Sequence, residues 1–187
     1  MGERLNGIQE VVGSIPIGST TTRQLPVSAP GQNGHDPDAA LAALGITLPP
    51  PAKGVSPYEP VMVVGSMLYT SGQLPWQDGA LRYRGAIGRD LSLEDGYQSV
   101  RLSCINALAQ VRHALSGFVR LTRFVRAEGV LYTAPDFDDA PKALDGATDL
   151  LHAAFGERGR HTRMIYTQQA MPLGCTSLVI LWAEIWP

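Results

Sequence analysis

From Tyr58 to Pro75 the chain reads Y-E-P-V-M-V-V-G-S-M-L-Y-T-S-G-Q-L-P, two short apolar runs around the turn Gly65-Ser66. Val61, Val63 and Val64 fill the first run, and Met67, Leu68 and Tyr69 the second, which predicts a pair of strands. Asp78-Gly79, the strongest hairpin signal in the chain, leads to a third strand through Leu81 and Tyr83. The period then changes. Ser92-Leu-Glu-Asp95 opens a long helix, with the serine as N-cap and carboxylates in the first turn. Its apolar stripe is Tyr97, Val100, Cys104, Leu108, Val111 and Leu115, spaced by three or four, and Gly117 ends it. A strand from about Arg123 to Tyr132 follows, carrying Phe124, Val125, Val130 and Leu131. A second helix begins near Asp139 and Pro141, buries Leu144, Ala147, Leu151 and Phe155, and closes at Gly156. Two last strands, around Arg163 to Ala170 and Thr176 to Trp186, are joined through Met171-Pro-Leu-Gly174.

The order is β-β-β-α-β-α-β-β, an α+β two-layer sandwich with the strands in one sheet and both long helices on one face. The last strand, L-V-I-L-W-A-E-I-W, is apolar at nearly every position, so both of its faces are expected to be buried. With helices on one side only, that points to association through the sheet. Upstream, Asp36-Pro37-Asp38 caps a short helix from Ala39 to Leu44 that Gly45 ends, and Pro49, Pro50 and Pro51 force an extended connector. Residues 1–36 are rich in Gly, Ser, Thr and Pro, which predicts a flexible or extended arm ahead of a domain spanning 37–187.

A chain of 187 residues with 44% hydrophobic positions suffices for one compact domain plus a tail. The net charge of -2 provides no basic field for nucleic acid. Cys104 and Cys175 are far apart and form no C-x-x-C pair, so zinc and thioredoxin-like chemistry are not expected. No window approaches eighteen consecutive apolar residues and the N-terminus lacks a signal-peptide pattern; a cytoplasmic protein without a membrane partner is the expectation.

Several residues could carry chemistry. Ser71-Gly72-Gln73 ends the strand pair with a hydroxyl, a bare backbone and an amide, which suits either one wall of a small-ligand site or an ordinary turn. Arg163 stands where a Gly/Arg loop enters an apolar strand; it can hold a carboxylate in bidentate fashion or be an exposed strand end. His161 shares its face in an extended segment and is either a proton carrier or a hydrogen-bonded surface or interface histidine. Tyr58 is either the lid of a pocket or an aromatic ring packed on a strand edge. Arg158 and Arg160 read as solvated loop charges, His113 and His152 as structural, and Cys175 as a small buried hydrophobe. Asp136, Asp138 and Asp139 read as capping the second helix, because their spacing matches no calcium loop. There is no glycine-rich phosphate loop, no G-x-S-x-G and no H-E-x-x-H.

Taken together, L-A-A-L-G-I-T-L-P-P, Y-x-P followed by G-x-x-L-Y-x-S-G-Q-L-P, G-x-x-G-x-D-L-S-x-E-x-G, A-P-D-F, F-G-E-x-G-R-H-x-R and M-P-L-G resemble the Rid superfamily. These are the reactive intermediate deaminases, or YjgF-like proteins, and the similarity is to the chorismate-mutase-like, endoribonuclease L-PSP-like branch. It covers residues 40–187 in order and spacing. The resemblance implies a chorismate-mutase-like fold and a homotrimer whose sheets form a central β-barrel, with small-molecule clefts between subunits and neither metal nor cofactor. In deaminating members an arginine holds the carboxylate of a 2-imino or enamine acid, a tyrosine and a serine-glycine pair line the pocket, and a glutamate positions the attacking water. Tyr58, Ser71, Gly72 and Arg163 match the first of these positions, with Gln73 beside them.

Two positions depart from the pattern. Ile165 stands where many deaminases carry cysteine, and Leu178 stands at the glutamate position. Glu184 lies on the same strand face, but six residues at about 3.3 Å each place it roughly 20 Å away. A leucine cannot orient or deprotonate water. The expected activity is therefore either deaminating hydrolysis of a small carboxylated imine or enamine to a 2-oxo acid, or a water-excluding tautomerisation or cyclisation. A non-catalytic trimer that binds a metabolite or partner protein is the alternative from another class. RNA cleavage is least favoured, for want of a basic stripe and a paired acid and base.

Overall fold

The computed structural model of the protein describes residues 35–54 and 56–186. The arm assigned to 1–36 lies outside these, apart from His35 and Asp36. The first helix, α1, spans Pro37–Ala43, and the Asp36 carboxylate accepts from the Asp38 amide at 3.0 Å. Strands β1 (Val61–Val64) and β2 (Met67–Thr70) form the expected antiparallel pair, with Gly65 taking the left-handed turn position at φ +60°.

The third predicted strand is not part of this sheet. Asp78 and Gly79 do make a tight turn of two left-handed residues, at φ 52° and 76°. The turn joins only the two-residue strands β3 (Trp76–Gln77) and β4 (Ala80–Leu81), which form a separate ribbon. Pro75 precedes the ribbon, and Asn106 of the next helix takes the Leu74 and Trp76 carbonyls that a sheet neighbour would otherwise use.

Helix α2 (Leu93–Leu115) starts on a reciprocal capping box between Ser92 and Asp95. Strand β5 (Leu121–Tyr132) begins two residues before the expected start, and helix α3 (Ala140–Phe155) follows. Asp139 occupies the cap position of α3 without capping it. Its backbone, at φ -86° and ψ 20°, lies outside the extended region that turns a cap side chain towards the helix, and its carboxylate instead pairs with Lys142 at 2.9 Å. Strands β6 (Thr162–Gln168) and β7 (Ser177–Ile185) complete the chain.

The main sheet has five strands in the order β1-β2-β7-β5-β6, antiparallel except for the β5/β6 edge pair. The two final strands therefore do not pair; β5 lies between them. Helices α2 and α3 cover one face, and the stripes Val100, Cys104, Leu108, Val111 and Leu144, Ala147, Leu151, Phe155 are all buried. The helices approach each other closely at Gly146, where a Cβ would stand 2.2 Å from the Tyr97 carbonyl oxygen, so no other residue fits.

Strand β7 is buried on alternate residues only. Val179, Leu181, Ala183 and Ile185 lie under the helices, whereas Leu178, Ile180, Trp182 and Glu184 are half-buried on the other face. Both faces were expected to be covered; among the described residues no second layer lies over the outer one. That face continues across Met62 and Val64 on β1 and Met164 and Tyr166 on β6, all exposed. The buried face of β7 holds one polar knot. Ser177 Oγ lies 2.7 Å from Ser99 Oγ and 2.9 Å from Ser103 Oγ, and all three residues are fully buried. Ser177→Ala takes the side-chain partner from the buried Ser99 hydroxyl and leaves Ser103 only the residue-177 carbonyl at 3.5 Å, so it is expected to cost about 1–3 kcal/mol, read as a lower urea midpoint with an unchanged slope.

Candidate functional site

The end of β2 is tied to β7 by a pair of backbone bonds: the Gln73 amide donates to the Val179 carbonyl at 2.9 Å, and the reverse bond is 3.0 Å. This bridge lays Gly72 beside Leu178. A Cβ on Gly72 would come within 2.7 Å of Leu178 Cδ1, so any larger residue there would push the leucine side chain aside. Neither the N–H nor the C=O of half-exposed Gly72 hydrogen-bonds to another described residue.

Ser71 is pinned from both ends. Its amide donates to the Pro60 carbonyl at 2.8 Å and its hydroxyl donates to the Glu59 carbonyl at 2.7 Å. With its proton committed, Ser71 Oγ has only lone pairs left to offer, and it can accept from an N–H or O–H. Gln73 behaves differently from its neighbours. It is buried, its amide nitrogen donates to the Ser71 carbonyl, and its oxygen accepts from Gln110, which also donates to the Ala52 carbonyl at 2.7 Å. Gln73 braces the segment from behind. Tyr58 is exposed on the connector, one residue before the carbonyl that takes the Ser71 hydroxyl.

Arg163, His161 and Ile165 form a second group on the helix side of the sheet. Arg163 Nη1 donates to Asp145 Oδ1 of α3 at 2.6 Å. His161 donates from Nδ1 to the Gly159 carbonyl at 2.6 Å, and its Nε2 is 3.4 Å from Thr148 Oγ1. Ile165 packs against the core. Arg163 lies opposite Ala127, which in turn lies opposite the buried Leu181, whereas Leu178 faces the other way. The two groups thus belong to opposite faces, with β5 between their strands. A single chain does not bring Arg163 to Ser71 and Gly72.

The remaining candidates are occupied or inert. Glu184 pairs with Arg123 at 2.8 Å on the open face. Burial pushes the Cys104 thiol up to about 12 and the Cys175 thiol up to about 11, so neither is a thiolate nucleophile near neutral pH. Arg158 is not a solvated charge: it is half-buried and donates to the carbonyls of Leu121 and His35. No group of three His, Cys, Asp or Glu among the described residues could hold a metal ion. Asp145, the partner of Arg163, was not picked out from the sequence, because 18 positions separate the two and only the α3/β6 packing joins them.

Burial lowers the pKa of His161 from its ordinary 6.5, and the neighbouring His152 and Arg163 charges push the same way against the Gly159 hydrogen bond. Below that pH the unfolded chain takes up a proton that the folded chain resists. The protein is therefore expected to lose stability as the pH falls from 6.5, and His161→Gln to remove that part of the loss, as read by thermal melts across pH 7 to pH 5.

The chain matches, over residues 38–185, the model of the family described as "YjgF/chorismate mutase-like, putative endoribonuclease". A Shewanella oneidensis protein of known crystal structure with the same endoribonuclease designation is 45% identical, with a TM-score of 0.79 over 80% of this chain and 99% of that one. Protein Atu1372 of Agrobacterium tumefaciens, described as of unknown function, is 30% identical with a TM-score of 0.76, over 81% and 94% of the two chains. Protein TCP17 of Trypanosoma cruzi is 31% identical over 148 residues, 79% of this chain and 92% of that protein. With its order of elements, its Ser71-Gly72 segment against β7 and these similarities, the chain belongs to the YjgF/chorismate mutase-like family.

Proposed function

We propose that the protein is a Rid-type enzyme acting on small carboxylated imines or enamines in clefts completed by a second copy of the chain. The observation that carries this reading is the pair Ser71 and Gly72. A proton-committed hydroxyl and a free backbone amide stand side by side, one able to accept from a substrate N–H and the other able to donate to a carbonyl or carboxylate oxygen. Arg163 of a neighbouring copy anchors the carboxylate. Its guanidinium gives only Nη1 to Asp145, which leaves the rest of the fork for a ligand. The open, largely apolar sheet face supports association into the trimer that the family resemblance implies.

The reaction favoured is tautomerisation, the transfer of a proton between the enamine nitrogen and carbon 3, rather than hydrolysis. Leu178 presses its methyl groups against Gly72 where a water-positioning carboxylate would be needed. An apolar neighbour disfavours an ordered attacking water and strengthens the ionic contact to the carboxylate.

In D2O, with 2-imino acids made in situ by an amino-acid oxidase, the protein is expected to raise deuterium incorporation at carbon 3 while ammonia release stays at its spontaneous rate. Arg163→Ala is expected to abolish the acceleration, and Leu178→Glu to add ammonia release. If wild type accelerates ammonia release without raising deuterium uptake at carbon 3, hydrolysis replaces tautomerisation. No acceleration of either, over a broad side-chain panel, rejects the enzymatic reading. Light scattering is expected to give about three times the 20.1 kDa chain mass, and a monomer would remove the shared cleft.

A further inference from the structure

A cleft of about 370 Å³ lies between the β3–β4 ribbon and the turn Pro172–Gly174, lined by Trp76, Ala80, Leu81, Arg84 and Leu173. None of these residues belongs to the two groups described above. The volume falls within the range of small-ligand pockets, and the walls are apolar except for one guanidinium.

The walls are held by the backbone. The Gly85 amide donates to the Gly174 carbonyl at 3.1 Å and the Thr176 amide to the Tyr83 carbonyl at 3.2 Å, which clamps the Arg84 segment to the turn. Asn106 of α2 holds the Trp76 carbonyl from behind at 2.9 Å. The cleft is therefore preformed.

Two features of its lining have no use in the fold itself. Leu173 adopts φ +57° and ψ 12°, a left-handed conformation that a Cβ-bearing residue such as leucine disfavours, and the residue is 56% exposed. Glycine or asparagine would suit that backbone, and no core packing accounts for the leucine. Arg84 is exposed, and its guanidinium has no hydrogen-bond or ion-pair partner among the described residues. A strained apolar residue and an uncommitted cation face the same space, with an indole as the third wall.

We infer that this cleft is a binding site for a small aromatic carboxylate, whose ring lies among Trp76, Leu81 and Leu173 and whose carboxylate meets Arg84. One planar guanidinium matches one carboxylate, while a phosphate would call for further donors that the lining lacks. The site does not depend on the reaction proposed above.

The test uses the full-length protein with 3-phenylpropionate and its uncharged amide, 3-phenylpropanamide, as probes. Binding is followed by ligand-observed NMR and by the Trp76 indole N–H shift. Both probes are expected to saturate. Arg84→Gln is expected to weaken the carboxylate about tenfold and leave the amide unchanged. Leu173→Gly, which suits the backbone better, is expected to raise the melting temperature yet weaken both probes; Arg163→Ala is expected to change neither affinity. The proposal is overturned if wild type shows no saturable binding up to about 10 mM. It is equally overturned if Arg84→Gln spares the carboxylate, if Leu173→Gly spares both probes, or if Arg163→Ala abolishes binding and so assigns the probe to the other site.

Discussion

The alternation of β7 is the constraint around which the domain is organised. Every second side chain, from Ser177 to Ile185, enters the helix layer, and the intervening ones stand on the open face. The strand pairs with both β2 and β5, so it supplies the middle of the sheet, the floor under α2 and the wall beside Ser71 and Gly72. A shift of one residue in its register would exchange the two sets of side chains. The Ser99–Ser177–Ser103 contact opposes such a shift, because a buried hydroxyl finds its partners in only one register.

Much of this was legible in the chain. The helix stripes were read correctly because burial against a single sheet face imposes a period that survives in the residues themselves, as in Val100, Cys104, Leu108 and Val111. The strand pair around Gly65-Ser66 and the cap of α2 were local signals, and local signals transfer well. The turn at Asp78-Gly79 was equally clear, but a turn does not say which sheet its strands join. That depends on Asn106, thirty residues away, taking the carbonyl of Trp76. The near-continuous apolar run of β7 suggested two covered faces, yet within one chain the outer residues are only half-buried.

The candidate site was legible as residue types and less so as an arrangement. Ser71, Gly72, Arg163 and Leu178 stood out as chemistry-bearing or conspicuously lacking chemistry. Which face each one points to followed only from the register of three strands. Gln73 read as a ligand group, and its bracing contact with Gln110 was silent, since Gln110 lies far from it in the chain and reaches it only through folding. Asp145 was silent for the same reason. Its carboxylate holds the Arg163 guanidinium against α3.

The placement of Leu178 bears on how the family can diversify. It sits on the parity of β7 that the helix layer does not contact, with its methyl groups over a glycine rather than interlocked with the core. A change of side chain there leaves the interior packing of the domain untouched. The packing of the domain is thus written on alternate letters of one strand, and the letters between them are open to revision without endangering it.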